Sequence, residues 1–274
     1  MSLRTIARWD ARGVLRDRWF VVVASAFGAL VLASALVALA SVDVLGVSAF
    51  RRVAATMIHL GMLFIPLIGL TVGAVWIAGE RESGSLVLLL SQPVERRAIF
   101  AGKFCGVAWG MAAAVVLGFG AAGLLLAVRA GTDRIPAFLW LVGLSVLLAL
   151  AMLAAGFFIS ARSPSRSRAL GAALVAWLVF VIVSDLGVLG TAMVLRLPAP
   201  ALLLLGSINP VSAYRLAAII GITGSADLTG PVGLYAVDRL GLGGFVVALV
   251  LVLAAWTAAG YLAGRARFLR AVEG

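Results

Sequence analysis

The chain has 274 residues, of which 64% are hydrophobic and only 12% are charged. Soluble domains are about half apolar and about a quarter charged, so this composition excludes a soluble globule and predicts an all-α polytopic membrane protein. The formal charge of +11 lies between apolar runs, which favours membrane-flanking arginines over nucleic-acid binding. A single cysteine, Cys105, excludes a disulfide framework within the chain and a CxxC metal or redox site.

The first eighteen residues predict a basic amphipathic helix, residues 1–18, ahead of the membrane domain. Arg4, Arg8, Arg12 and Arg16 recur every four residues and therefore share one helical stripe. Such a stripe is typical of a helix held on the cytoplasmic leaflet by anionic headgroups, with a solvated basic segment as the alternative. The next apolar run is about twenty residues long, so we expect it to stay as the first span and not to be a signal peptide.

Apolar windows of about twenty residues predict six membrane spans within a single domain, residues 19–274. The spans are Trp19–Ser41, Met57–Ala78, Phe104–Val128, Ala137–Ser160, Ala169–Leu195 and Gly241–Ala263. With both termini in the cytoplasm, most of the Lys and Arg residues lie on the inner side, as the positive-inside rule requires.

The predicted cytoplasmic segment 79–103 has the densest pattern of charges and turn residues. We interpret it as a short helix with acidic groups near its start, a glycine stop, a leucine-rich interfacial stretch and a proline turn, ending near Lys103. Such a module can dock against a soluble protein. Its candidate contact residues are Glu80, Arg81, Glu82, Gly84, Pro93, Arg96 and Arg97. A second candidate contact, or only a solvated basic loop, contains Arg162, Pro164 and Arg166.

The spacing in this segment, Glu-x-Glu-x-Gly-Ser-Leu, Leu-Leu-Ser-x-Pro and then Arg-x-x-x-x-x-Lys, resembles the signature of ABC type-2 permeases, the six-span membrane subunits of ABC exporters. The resemblance implies that segment 79–103 is a coupling helix that inserts into a nucleotide-binding subunit. It also implies a homodimer in the bacterial inner membrane with two separate ATPase chains, which would hold the ATP and magnesium.

The chain itself has no P-loop, so ATP hydrolysis is expected on another polypeptide. Lys103 lacks the upstream glycine of Gly-x-x-x-x-Gly-Lys, and Phe104 replaces the Ser or Thr that would hold magnesium. Without a catalytic motif or paired carboxylates at catalytic spacing, we predict a transporter subunit and not an enzyme, with no cofactor and no metal site of its own.

Shorter matches resemble one branch of this family, which serves maturation of the copper sites of periplasmic nitrous oxide reductase. They are residues 6–8 and 15–19, Leu117–Gly120, and Asn209-Pro210 followed by Tyr214-Arg215-Leu216. The branch implies a periplasmic β-helical accessory protein as a partner. The alternatives are an ABC exporter of a drug, lipid or polysaccharide, and an ion-coupled carrier, which should show inverted repeats and several buried charges.

The outer segment 197–240 is too apolar for a soluble loop and too interrupted to cross the membrane. Because Asn209 and Pro210 break it, we predict short re-entrant helices dipping into the outer leaflet, one of them over Val211–Ile220. The alternative is a hydrophobic cap or docking surface for an extracytoplasmic partner. In either case Tyr214 and Arg215 are the candidate gating or partner-binding residues.

Three further patterns lie within the spans. Gly102, Gly106, Gly110 and Gly118 belong to a small-residue face that predicts close helix packing within the subunit or across a dimer, and Gly69 and Gly73 repeat it beside Pro66. Asp185 is an acid inside a span, with a gating role or a partner such as Arg215 as open alternatives. Met57, His59 and Met62 could be copper ligands, but Met57 lies on another helical face from His59, which favours packing.

Overall fold

The computed structural model describes residues 13, 18–40, 47–91, 94–130, 135–194 and 207–273, and that part of the chain is helical without any strand. The helices are α1 (Arg18–Ala40), α2 (Val47–Glu82), α3 (Ser85–Leu90), α4 (Arg96–Ala130), α5 (Ile135–Arg162), α6 (Arg166–Val194), α7 (Pro210–Thr223) and α8 (Gly230–Glu273), with a 3-10 turn at Asp227–Thr229. The predicted N-terminal helix lies almost entirely outside the described residues.

Within the described residues, five helices contain segments long and apolar enough to cross a membrane, which confirms the all-α membrane class. The segments are Phe20–Val37, Phe50–Glu82, Arg96–Leu124, Ile135–Arg162 and Gly233–Ala271. The fifth predicted span coincides with α6, whose side chains are described only from residue 166 to 182. The count of six spans therefore stays a prediction.

The core of the bundle is α5, which packs most extensively on α2 and α8 and also contacts α4, α6 and α7. The contact with α2 is close because glycines meet there. A Cβ atom at Gly73 would come within 2.6 Å of the Leu153 carbonyl oxygen and 3.0 Å of the Gly156 Cα atom. Helices in lipid associate through such close backbone packing, since lipid tails are as apolar as the side chains.

The small-residue face of α4 is largely inside the chain. Gly102, Gly106 and Gly110 are buried, and Gly118 lies beside Gly28 of α1. On other faces of α4, Trp109 and Leu117 are exposed. Exposed apolar side chains also line α1, α6 and α8, as expected of a perimeter that faces lipid.

Three helices, α2, α4 and α8, begin well before the predicted spans. α2 begins at Val47 and includes Arg51 and Arg52, which the hydropathy window leaves out because it penalises charge. Long arginine side chains can reach water from a helix end, so the helix continues through them. α8 starts before the sixth predicted span and has a break at Gly241, where φ is 71°. The chain direction therefore changes where the predicted span begins.

Candidate functional site

The two segments predicted to contact a soluble partner meet at one end of the bundle, which we call the loop end. α2 ends there at Glu82 and α5 at Arg162, while α4 and α6 begin there at Arg96 and Arg166. The short helix α3 lies in the connection between α2 and α4. Segments 79–103 and 161–168 therefore form one surface.

Adjacent residues of α2, Arg81 and Glu82, bind both sides of the α5–α6 turn. The Arg81 Nη1 atom donates to the Ser163 carbonyl oxygen at 2.7 Å, just past the last turn of α5. The Glu82 Oε2 atom accepts from the backbone N–H of Arg166 at 2.7 Å, the first residue of α6. A cation at a helix C-terminus and an anion at an N-terminus both match the helix dipole. We call this pair the Arg81–Glu82 clamp.

A buried ion pair joins the end of α2 to the first turns of α4. The Lys103 Nζ atom lies 2.6 Å from the Glu80 Oε1 atom, and the lysine side chain is only 1% exposed. Removing Glu80 would take the carboxylate away from the buried lysine, and breaking a buried pair in this way typically costs about 3–5 kcal/mol, so the pair should fix the two helices together. The sequence interpretation used Lys103 as the end of a motif and to exclude a P-loop, but did not predict this ion pair. The signal available in the sequence was that Lys103 is the single lysine in an arginine-rich chain.

The sequence predicted that the acidic residues lie near the start of a short helix, but they belong to the last turn of α2. Gly84 follows with φ at 74°, in the left-handed region that glycine adopts without strain, and it reverses the chain into α3. The glycine stop was predicted correctly, but the charges before it end the long helix α2 and do not begin a short one. Hydropathy could not show this, because α2 stays helical beyond its apolar part.

The helix α3 presents an apolar face away from the bundle. Leu86 is buried against the core, whereas Val87 is 70% exposed and Leu88 is 72% exposed. Arg96 and Arg97 are exposed at the start of α4, and Pro164 is exposed in the α5–α6 turn. Arg162 lies over the Phe158 ring, 5.5 Å from its centroid. Pro93 is outside the described residues.

The second group of predicted residues lies around α7. Asn209 caps this helix: its Oδ1 atom accepts from the Val211 N–H at 2.9 Å, and its Nδ2 atom donates to the Phe180 carbonyl oxygen of α6 at 2.8 Å. Pro210 occupies the first turn, where its missing N–H costs nothing. The predicted break between Asn209 and Pro210 is thus the capped start of a helix.

Tyr214 is fully buried between three helices. Its hydroxyl lies 3.0 Å from the Ser145 Oγ atom of α5, and a Cβ atom at Gly61 of α2 would come within 2.7 Å of it. In the described conformation burial leaves this ring out of reach of an outside partner, and its gating role stays a prediction. Arg215, the next residue, is half-buried and lines a cavity shared with α2.

Two tryptophans that the sequence interpretation missed also hold α7. The Trp140 indole N–H donates to the Ala217 carbonyl oxygen at 3.1 Å, and the Trp256 indole N–H donates to the Ile208 carbonyl oxygen at 2.8 Å. Tryptophans inside apolar spans were the available signal, since each carries an N–H that needs a partner. Asp185 lies on α6, but its side chain is outside the described part.

The described residues contain no group of three His, Cys, Asp or Glu side chains that could hold a metal ion. Met57 and Met62 are buried in the core, whereas His59 is exposed and bonds through Nδ1 to the Ala55 carbonyl oxygen. The three side chains thus differ in their environments.

Comparisons with known proteins extend over nearly the whole chain. A family model described as "ABC-2 family transporter protein" matches residues 4–271. The chain is 33% identical over 240 residues to the "Probable ABC transporter permease protein NosY" of Stutzerimonas stutzeri, covering 84% of this chain and 86% of that protein. It is 34% identical over 232 residues to the protein of the same name from Pseudomonas aeruginosa PAO1, covering 81% and 83% respectively.

Proposed function

Because the chain belongs to the ABC-2 family of transporter proteins, we propose that it is the permease of an ABC transporter that serves maturation of the copper sites of nitrous oxide reductase. The coarse role follows from the family: the chain is a membrane permease and works with ATPase subunits that are separate polypeptides. The similarity to two NosY permeases and the shorter branch motifs support the finer role.

The proposed assembly is a homodimer in the bacterial inner membrane with both termini in the cytoplasm. Two ATPase chains bind ATP and magnesium and drive alternating access, and a periplasmic β-helical protein docks on the outer side. The distribution of basic residues supports this orientation, since most of the 22 Lys and Arg residues fall in the segments that the sequence places in the cytoplasm.

The observation that carries the coupling role is the apolar face of α3. Val87 and Leu88 are exposed at the loop end, close to the turn at Gly84 that precedes α3 and to charged residues. In this proposal both side chains insert into a pocket of the ATPase subunit, while the exposed Arg96 and Arg97 pair with acids at the edge of the interface. Buried apolar anchors with a charged rim are typical of such contacts.

The contacts behind α3 give a route for motion from the ATPase into the membrane. The Arg81–Glu82 clamp connects the end of α2 to the adjoining ends of α5 and α6, and the ion pair between Glu80 and Lys103 connects it to α4. A displacement of α3 would therefore be transmitted to α2, α4, α5 and α6 together. We propose that these contacts make the helices move as one unit when ATP binds.

On the opposite side, α7 serves as a re-entrant outer gate in this proposal. Its start contacts Phe180, fourteen residues along α6 from Arg166, or about 21 Å from the loop end at 1.5 Å per residue. Its last turn lines a cavity with Arg51, which is 31 residues and about 46 Å from Glu82 along α2. The fourteen-residue α7 is itself about 21 Å long. All three lengths agree with α7 lying steeply between the outer end of the bundle and the middle of its depth.

The docking role is tested by affinity purification of the tagged permease from its own host, with bound polypeptides identified by mass spectrometry. Replacing Val87 and Leu88 with serine removes two apolar anchors, so we expect at least about tenfold less ATPase in the eluate. Leu117→Ser is the matched control, because Leu117 is equally exposed at 72% but lies on the lipid-facing side of α4. Equal ATPase recovery from the double variant would contradict the role of α3.

A different variant separates transmission from docking. Glu82→Gln weakens the charge-assisted bond to Arg166 but leaves α3 intact, so the ATPase should stay bound while its hydrolysis becomes uncoupled from transport. Glu95→Gln, an exposed acid at the same end, is the control. Transport at the normal rate by Glu82→Gln would exclude the clamp as a route for motion.

The maturation role needs its own experiment. Deleting the gene should leave nitrous oxide reductase without its copper sites, as judged by the enzyme's visible absorption spectrum and metal content. Normal copper content in the deletion strain would refute this substrate assignment, and the drug, lipid or polysaccharide exporter would then be the better interpretation.

A further inference from the structure

A cavity of about 170 Å³ lies between the first turns of α2 and the second half of α7. Its lining is mostly apolar, but two guanidinium groups and an imidazole ring contribute to it. The lining residues are Arg51, Ala55, Ile58, His59, Arg215, Ile219, Ile222 and Thr223. None of these eight residues is an acid, so the cavity combines positive charge with an apolar wall.

This combination fits a ligand with an anionic head and an apolar body. Arginine binds phosphate oxygens through paired N–H groups and keeps its charge at every physiological pH. Ile58, Ile219 and Ile222 offer only hydrocarbon, which a free inorganic anion would not use.

We propose that the cavity binds an anionic phospholipid, with its phosphate between Arg51 and Arg215 and an acyl chain against the isoleucines. The position agrees with this ligand, because Arg51 stands at the start of the apolar part of α2, where headgroup phosphates lie at a membrane interface. The bound lipid would join α7 to α2 at the outer end of the gate. The proposal does not depend on which substrate the transporter carries.

The experiment is native mass spectrometry of the full-length chain, purified in a neutral detergent and titrated with phosphatidylglycerol. Arg51→Gln and Arg215→Gln should each weaken binding about fivefold, as expected for one arginine near an anionic headgroup. Arg52→Gln is the matched control, because it removes the same charge from the neighbouring position but does not line the cavity. Ile222→Trp should weaken binding by filling the space.

Two further titrations identify the source of the anionic group. Phosphatidylcholine tests the net charge of the head, and glycerol 3-phosphate tests the head without acyl chains. Binding of phosphatidylglycerol alone, reduced in both arginine variants and unchanged in Arg52→Gln, supports the proposal. It is overturned if the arginine variants bind as tightly as Arg52→Gln, if phosphatidylcholine binds equally well, or if glycerol 3-phosphate binds as tightly as the lipid. Should Ile222→Trp not fold, the arginine variants and these titrations still decide.

Discussion

Replacing Gly73 with alanine should destabilise the bundle by forcing α2 and α5 apart. The new Cβ atom would lie 2.6 Å from the Leu153 carbonyl oxygen and 3.0 Å from both the Gly156 Cα atom and the Phe157 nitrogen. All three are backbone atoms, so no side chain can rotate away. Restoring ordinary contact near 3.4 Å requires the helices to separate by about 0.8 Å at their closest point, which loosens the packing on both sides.

The magnitude follows from two opposing contributions. Overpacking against a rigid neighbour costs up to about 3 kcal/mol, whereas alanine is about 1 kcal/mol better than glycine in a helix interior. The net destabilisation is therefore at most about 2 kcal/mol. For a chain of this size that upper limit corresponds to a melting temperature lower by about 4–8 °C.

The assay is thermal unfolding of the purified chain in detergent, with Gly143→Ala as the control. Gly143 lies on α5 itself, but a Cβ atom there meets nothing within 4 Å, so alanine should raise the melting temperature slightly. If Gly73→Ala proved as stable as Gly143→Ala, the close crossing of α2 and α5 would not hold the bundle together.

Two further outcomes concern α7. Gly61→Ala should destabilise the chain because its Cβ atom meets the Tyr214 hydroxyl at 2.7 Å. Adding Tyr214→Phe should recover stability, because it removes that oxygen. A double variant that is no more stable than Gly61→Ala would refute this contact. Single cysteines, introduced after the native cysteine is replaced, should react from the outer side at the half-buried positions 215, 219 and 223, which line the cavity beside α2, and much less at buried positions such as Ala217. Uniform labelling along the helix, or labelling from the cytoplasm, is the contrary result.

Much of the helical layout could be predicted from the sequence, because the length of an apolar run depends only on local composition. A described helix coincides with each of the six predicted windows, apart from Ser41 and Leu195, which lie outside the described residues, and the membrane crossing of α6 is untested. Contacts between helices could not be predicted in the same way. Gly73 and Gly156 are separated by about eighty residues, and composition does not tell which glycines of the 31 meet another backbone.

The candidate site was predicted as a segment but not as a set of contacts. Arg81 and Glu82 look the same in a sequence whether they face a partner protein or cap neighbouring helices of their own chain. The structure gives them the second role, since their partners Ser163 and Arg166 belong to a distant segment. Only the exposure of Val87 and Leu88 distinguishes a docking face from the contacts behind it.

The two indoles that hold α7 make this helix observable without any added label. Trp140 and Trp256 belong to different helices, and each gives its only N–H to a backbone carbonyl at or just before α7. Indole emission shifts in energy when that bond is exchanged for water or lost in an apolar setting. In a variant that keeps only these two of the seven tryptophans, movement of α7 during the transport cycle would therefore be reported by intrinsic fluorescence, from one indole just before the helix and one against its middle.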